Sequence, residues 1–69
     1  MSTLTLVVNG EPRRVPGPAT VTSLLDHLGL DPRMVVVEVK REIIRRVRQG
    51  EVVLHEGDLV ELVHFVGGG

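Results

Sequence analysis

Leu4, Leu6 and Val8 alternate with Thr3, Thr5 and Val7, a period of two that predicts a strand with one well-buried face. Asn9-Gly10 follows, and both residues tolerate the positive φ that a tight hairpin turn requires. Arg13-Arg14-Val15 then predicts a short returning strand, ended by Pro16-Gly17-Pro18 because proline donates nothing to a ladder. Beyond it the period changes. Val21, Leu24, Leu25 and Leu28 fall at i, i+3, i+4 and i+7, one face of a helix. Thr22, Ser23, Asp26 and His27 fall on its solvated side. Thr20 is placed to cap the helix through its hydroxyl, Gly29 suits the left-handed position after the last turn, with Leu30 folding back, and Asp31-Pro32 confirms the stop.

The β-branched run Val35–Val39 predicts a strand with substantial burial. Lys40-Arg41 turns the chain and Glu42-Ile43-Ile44 forms a short returning piece. Residues 45–54 show no clean period and predict a loop with one helical turn. Glu56-Gly57-Asp58 reads as a turn, and residues 59–65 as a final strand with Val60 and Leu62 on one face and Glu61, Val63 and Phe65 on the other. The helix links the second strand to the third, so it must lie on one face of a single sheet. The resulting class is α+β: a mixed sheet of four or five strands packed on one helix, with the apolar last strand placed centrally beside the first. Residues 1–66 form this domain and residues 67–69 a glycine tail.

Composition narrows what such a domain can do. A chain of 69 residues buries only about 60% of the surface that its unfolded form exposes, which leaves little room for an enclosed active site. It has no cysteine, hence neither a disulfide nor a thiolate metal site. Phe65 is the only aromatic residue, so the core is built from Val, Leu and Ile and a base-stacking platform is not expected. The net charge of −1 argues against general nucleic-acid binding. No stretch approaches the roughly 20 apolar residues of a membrane span, and the N-terminus lacks the basic and apolar blocks of a secretion signal, so a soluble cytoplasmic protein is expected.

His27, His55 and His64 do not sit at metal-ligand spacing. Glu42, Glu51 and Glu56 are scattered and suggest no general acid–base pair. Lys40, Arg41, Arg45, Arg46 and Arg48 form a basic cluster, read as a solvated face with steering toward an acidic partner as the minority alternative.

The last strand runs directly into Val66-Gly67-Gly68-Gly69. Glycine has no Cβ and wide backbone freedom, so this ending offers an unhindered terminal carboxylate on a thin stalk that a narrow channel in another protein could admit. Taken with Glu56-Gly57-Asp58-Leu59-Val60-Glu61-Leu62-Val63-His64-Phe65, with Asn9-Gly10-Glu11 and with Thr20-Val21…Leu24-Leu25…Leu28-Gly29-Leu30, the chain resembles the small ThiS-type sulfur carrier proteins of thiamin biosynthesis along essentially its whole length. It departs from them at Lys40-Arg41-Glu42-Ile43-Ile44-Arg45-Arg46, where many have Asn-Gly followed by a proline-containing segment, and in the loop beyond, which lacks their frequent aromatic residue.

The resemblance implies a ubiquitin-like β-grasp fold and a protein substrate, not an enzyme. It implies that an E1-like adenylyltransferase of the ThiF or MoeB kind adenylates the Gly69 carboxylate, using ATP and Mg²⁺ that the carrier itself does not bind. A persulfide donor such as a cysteine desulfurase then converts the acyl-adenylate to a thiocarboxylate, and a ThiG-like thiazole synthase consumes the sulfur. Gly67 and Gly68 would thread the partner's channel, while Val63, Phe65 and Val66 would form an apolar docking patch. The chain has no P-loop with which to bind ATP itself. The rival readings are a molybdopterin synthase small subunit (MoaD-like), a ubiquitin-like modifier joined to lysines, and a β-grasp interaction module with an inert tail.

Overall fold

A computed structural model describes residues 2–65. The main sheet has five strands in the order β2-β1-β7-β4-β5, formed by β1 (Ser2–Val8), β2 (Glu11–Gly17), β4 (Val35–Val39), β5 (Glu42–Ile44) and β7 (Leu59–His64). The one α-helix among the described residues, α1 (Val21–Leu28), is flanked by β3 (Ala19–Thr20) and β6 (Val53–Leu54), which pair with each other in a small second sheet. The first and last strands run parallel through Val7↔Leu59 and Val8↔Val60. Every other pairing is antiparallel. This is the mixed sheet around one helix expected from the sequence.

Alternation along the strands builds the core. Leu6, Val8, Val15, Val35, Val37, Val39 and Val60 point to one face of the sheet and are buried with Val21, Leu24 and Leu25 of α1, Ala19 and Leu54. In β4 only alternate residues are fully buried, and Val36 and Glu38 sit half-buried on the opposite face. That face carries no helix among the described residues.

The helix ends are set by local chemistry. The Thr20 hydroxyl accepts from the Ser23 N–H (3.2 Å), and the Ser23 hydroxyl oxygen accepts from the Thr20 N–H (2.8 Å), which satisfies two donors reciprocally. Gly29 takes φ 72°, and the Leu30 N–H donates back to the Leu25 carbonyl at 2.9 Å, closing the left-handed stop.

Three sequence expectations need correcting. The second strand is longer than the Arg13–Val15 core and runs through Pro12 and Pro16. It lies at the sheet edge, where a residue without an N–H loses no ladder bond on the solvent side. Residues 45–54 hold both the helical turn (3-10, Arg46–Arg48) and the two-residue strand β6. The last strand ends at His64, one residue before the expected end.

Asn9 does more than turn the first hairpin. Its backbone has φ 51°, its N–H donates to the Val60 carbonyl (2.9 Å), and its carboxamide accepts from the Leu62 N–H (2.8 Å) and donates to the Leu62 carbonyl (3.2 Å). The side chain thus continues the short parallel ladder between β1 and β7 where the backbone of β1 has already turned away.

The β4–β5 hairpin closes less comfortably. Lys40 and Arg41 both adopt positive φ, 52° and 68°, with only these two residues between Val39 and its partner Glu42. This is the primed turn geometry that Asn-Gly fits best, the glycine having no Cβ and the asparagine tolerating positive φ, whereas a long side chain held there costs about 1 kcal/mol. Replacing Lys40-Arg41 with Asn-Gly is therefore expected to raise stability by about 1 kcal/mol or more, read as a higher urea midpoint at unchanged slope. An unchanged or lower midpoint would contradict it.

Candidate functional site

The last strand occupies the middle of the sheet, gripped on one side by β1 and on the other by β4, where Val35 pairs with His64 and Val36 with Val63. One residue past it the Phe65 N–H donates to the Met34 carbonyl at 2.8 Å. Met34 closes the 3-10 turn Pro32–Met34, which Asp31 caps by accepting from the Arg33 N–H (2.9 Å). The Arg33 guanidinium grips the same carboxylate, with Nη2 to Oδ2 at 2.8 Å and Nε to Oδ1 at 3.1 Å. Hydrogen bonds from the Arg33 side chain and backbone, helped by the more distant charge of Arg46, lower the Asp31 pKa to about 2. The body is thus fixed up to Phe65, the last described residue.

Val63 and Phe65 both lie on the helix-free face and are half-exposed, at 52% and 50%. Val36, half-buried, stands across from Val63. Leu59 and Ile43 add further exposed apolar surface, and both belong to strands of this sheet. Near the middle of this face Glu38 and Glu61 are direct cross-strand partners, an arrangement of like charges that favours neither. Val66, Gly67, Gly68 and Gly69, the other residues singled out from the sequence, lie outside the described residues.

The remaining candidates resolve into structure. Glu56 accepts from the Thr5 N–H at 2.9 Å, and the Gly57 N–H donates to the Thr5 carbonyl at 2.8 Å, so this turn buttresses β1. Asp58 is buried, accepts from the His55 N–H at 2.8 Å and stands 3.7 Å from the Lys40 ammonium. The acidic-Gly-Asp sequence is thereby a device for starting β7 at the right place. His27, His55 and His64 are exposed. Among the described residues no three His, Cys, Asp or Glu side chains could hold a metal ion, and no helix is long and apolar enough to cross a membrane.

The ThiS family model matches residues 6–69, from the first strand through the glycine ending. The chain belongs to the ThiS family. Its β-grasp architecture agrees with the crystal structure of the thiamine biosynthesis protein ThiS from Geobacter metallireducens, with a TM-score of 0.80 at 36% identity over 96% of this chain and 100% of that one. The sulfur carrier protein ThiS of Bacillus subtilis is 46% identical over 50 residues, 72% of this chain and 76% of that protein. A thiazole synthase of Paramagnetospirillum magneticum is 44% identical over 64 residues, 93% of this chain. The chain spans about a fifth of the length of the thiazole synthases it matches.

Proposed function

We propose that this ThiS-family chain is a cytoplasmic sulfur carrier of thiamin biosynthesis, a protein substrate whose reacting group is the Gly69 carboxylate. A carboxylate is a poor electrophile, because its charge and resonance repel nucleophiles. An E1-like adenylyltransferase converts it to an acyl-adenylate with ATP and Mg²⁺, and the partner supplies the phosphate clamps. The terminal sulfur of a persulfide donor, such as a cysteine desulfurase, then attacks the acyl carbon and AMP leaves, and a second thiol cleaves the resulting acyl disulfide, forming a disulfide with the donor cysteine and leaving a thiocarboxylate in which sulfur replaces one carboxylate oxygen. A thiazole synthase takes that sulfur. Gly67 and Gly68 form the stalk that threads the partner's channel, and Val63, Phe65 and Val66 dock the body beside it.

The observation that carries this reading is the family match extending through residue 69, which takes in the glycines on which the chemistry depends. Likeness to part of a thiazole synthase supports the choice of acceptor. The test is incubation with the adenylyltransferase, ATP and a persulfide donor, followed by intact mass measurement. One oxygen exchanged for sulfur is expected. An unchanged mass with a demonstrably active adenylyltransferase would overturn the reading.

A further inference from the structure

The main sheet ends in two edge strands, β2 and β5, and the sequence treats them differently. Each is joined to its neighbour by a two-residue turn, with Val8↔Glu11 and Val39↔Glu42 as the closing pairs. In such hairpins the closing pair exchanges its backbone hydrogen bonds, and bonded and non-bonded pairs alternate from there. The residues of β2 that face outward are therefore Pro12, Arg14 and Pro16. Two of the three have no N–H, which blunts that edge against a further strand. On β5 the outward-facing residue is Ile43, whose N–H and C=O both point away from the sheet. Its side chain is 63% exposed, and residues 40–48 contain no proline. This is also the segment in which the chain departs from the proline-containing one of many relatives.

Charge gathers at the same edge. Residues 40–48 carry Lys40, Arg41, Arg45, Arg46 and Arg48 against Glu42 alone, a net +4, which leaves −5 on the remainder of a chain whose net charge is −1. Two open clefts meet at β5. One of about 370 Å³ lies beside the start of the strand and is lined by Lys40, Arg48 and His55. The other, of about 390 Å³, lies beside its end and is lined by Val36, Arg33 and Arg46. Ile43, Ile44 and Arg45 line both. Asp31 holds Arg33, whereas Arg45 and Arg46 form no ion pair among the described residues.

We propose that the β5 edge receives an extended acidic segment of a partner protein, which adds to the sheet as a further strand through Ile43 and lays its carboxylates beside Arg45 and Arg46. In strand addition the main chain supplies affinity and pockets for alternate side chains supply specificity. Here the clefts supply the pockets, and their cations with Ile43 and Ile44 select acidic side chains interleaved with aliphatic ones. A second copy of this chain is the wrong occupant, because pairing two β5 edges sets two segments of net +4 against each other. A nucleic acid has no row of amides to match Ile43. The inference goes beyond sulfur transfer and uses none of the residues assigned to it.

The test titrates a capped hexapeptide alternating glutamate with valine into the full chain, read by calorimetry and by backbone amide NMR. Binding is expected, with shifts centred on residues 42–46. Two further peptides are N-methylated, one at every valine and one at every glutamate. Alternate amides of an added strand face opposite ways, so one of these is expected to lose at least about tenfold in affinity and the other to keep most of it. A peptide alternating lysine with valine is expected not to bind. Arg45→Glu/Arg46→Glu is expected to weaken the acidic peptide at least about tenfold at low salt and less at high salt, while Arg13→Glu/Arg14→Glu, an equal change of charge on β2, leaves the shifts at residues 42–46 in place. Ile43→Pro is expected to abolish binding with sulfur loading unchanged, since the N–H it removes makes no bond within the sheet.

Equal affinity of the two methylated peptides overturns strand addition, and that arm uses the unaltered chain, so it stands even if Ile43→Pro does not fold. Equal binding of the lysine peptide, shifts centred away from β5, or no measurable binding also overturns the proposal. Self-association of the chain that Ile43→Pro abolishes would make a second copy the occupant. None of these results bears on whether Gly69 gains sulfur, which the mass measurement decides separately.

Discussion

Deleting Gly69 leaves a chain that folds and docks but gains no sulfur. One residue of extended chain reaches about 3.5 Å. With the body seated through Val63 and Phe65, the shortened chain would therefore present its carboxylate about 3.5 Å short of the α-phosphate of ATP. Misplacement by even ~1 Å can cost about 100-fold in rate, so the expected loss of ATP–pyrophosphate exchange is at least about 100-fold. The melting temperature should not move, because the buried core found among the described residues runs only as far as Val60. The shortened chain should still compete with the intact one for the adenylyltransferase, since the proposed docking patch lies on the body. Normal sulfur loading of the deletion variant would place the reacting group elsewhere. Loss of competition would show that the glycines supply binding as well as chemistry.

Leu6→Ala is the second large effect. Leu6 is fully buried in β1 and belongs to the one core cluster that joins the sheet to α1. A buried leucine cut to alanine costs about 2–5 kcal/mol, with the upper part of the range reached where the surroundings cannot collapse into the space. Here they are poorly able to do so. The neighbours are mostly valines with stiff χ1, and no aromatic side chain lies in the core. A domain of this length is stable by only about 3–10 kcal/mol, so the variant should be partly unfolded or nearly so at ordinary temperature. Urea denaturation measures this as a large fall in midpoint. Leu59→Ala, on the helix-free face and half-exposed, provides the contrast and should cost less than about 1 kcal/mol. Comparable losses for the two variants would contradict the burial assigned to Leu6.

What the sequence made legible, and what it hid, follows from how many residues carry each signal. α1 was readable throughout, since four apolar positions, a capping threonine and a terminating glycine all agree. β1, β4 and β7 were readable because alternation or β-branching runs through at least five residues. β3 and β6 have two residues each, too few for any period. β2 was seen only in part: as an edge strand it buries Val15 alone, so arginines and prolines on either side look like loop. The glycine ending and its likeness to sulfur carriers are the basis of the proposed chemistry. The basic cluster of residues 40–48 was visible in the sequence, but its place in the fold was not, because Arg45 and Arg46 lie far in sequence from Val63 and Phe65. Only the return of β5 beside β4 brings them to the same end of the sheet. Glu56 likewise looked like one of several stray carboxylates until the fold brought Thr5 to it.

The order of the sheet also bears on how the chain is made. β7 is central, and it is the last in sequence of the strands among the described residues. Before it emerges β1 and β4 have no shared neighbour, and the Asn9 carboxamide waits for Leu62, 53 positions downstream. Pairings of such long sequence separation form late and slowly. An incomplete nascent chain therefore has no finished sheet to offer a partner. Synthesis order thus acts as a checkpoint, because a body competent to dock is one in which β7 is already made and has found both of its neighbours.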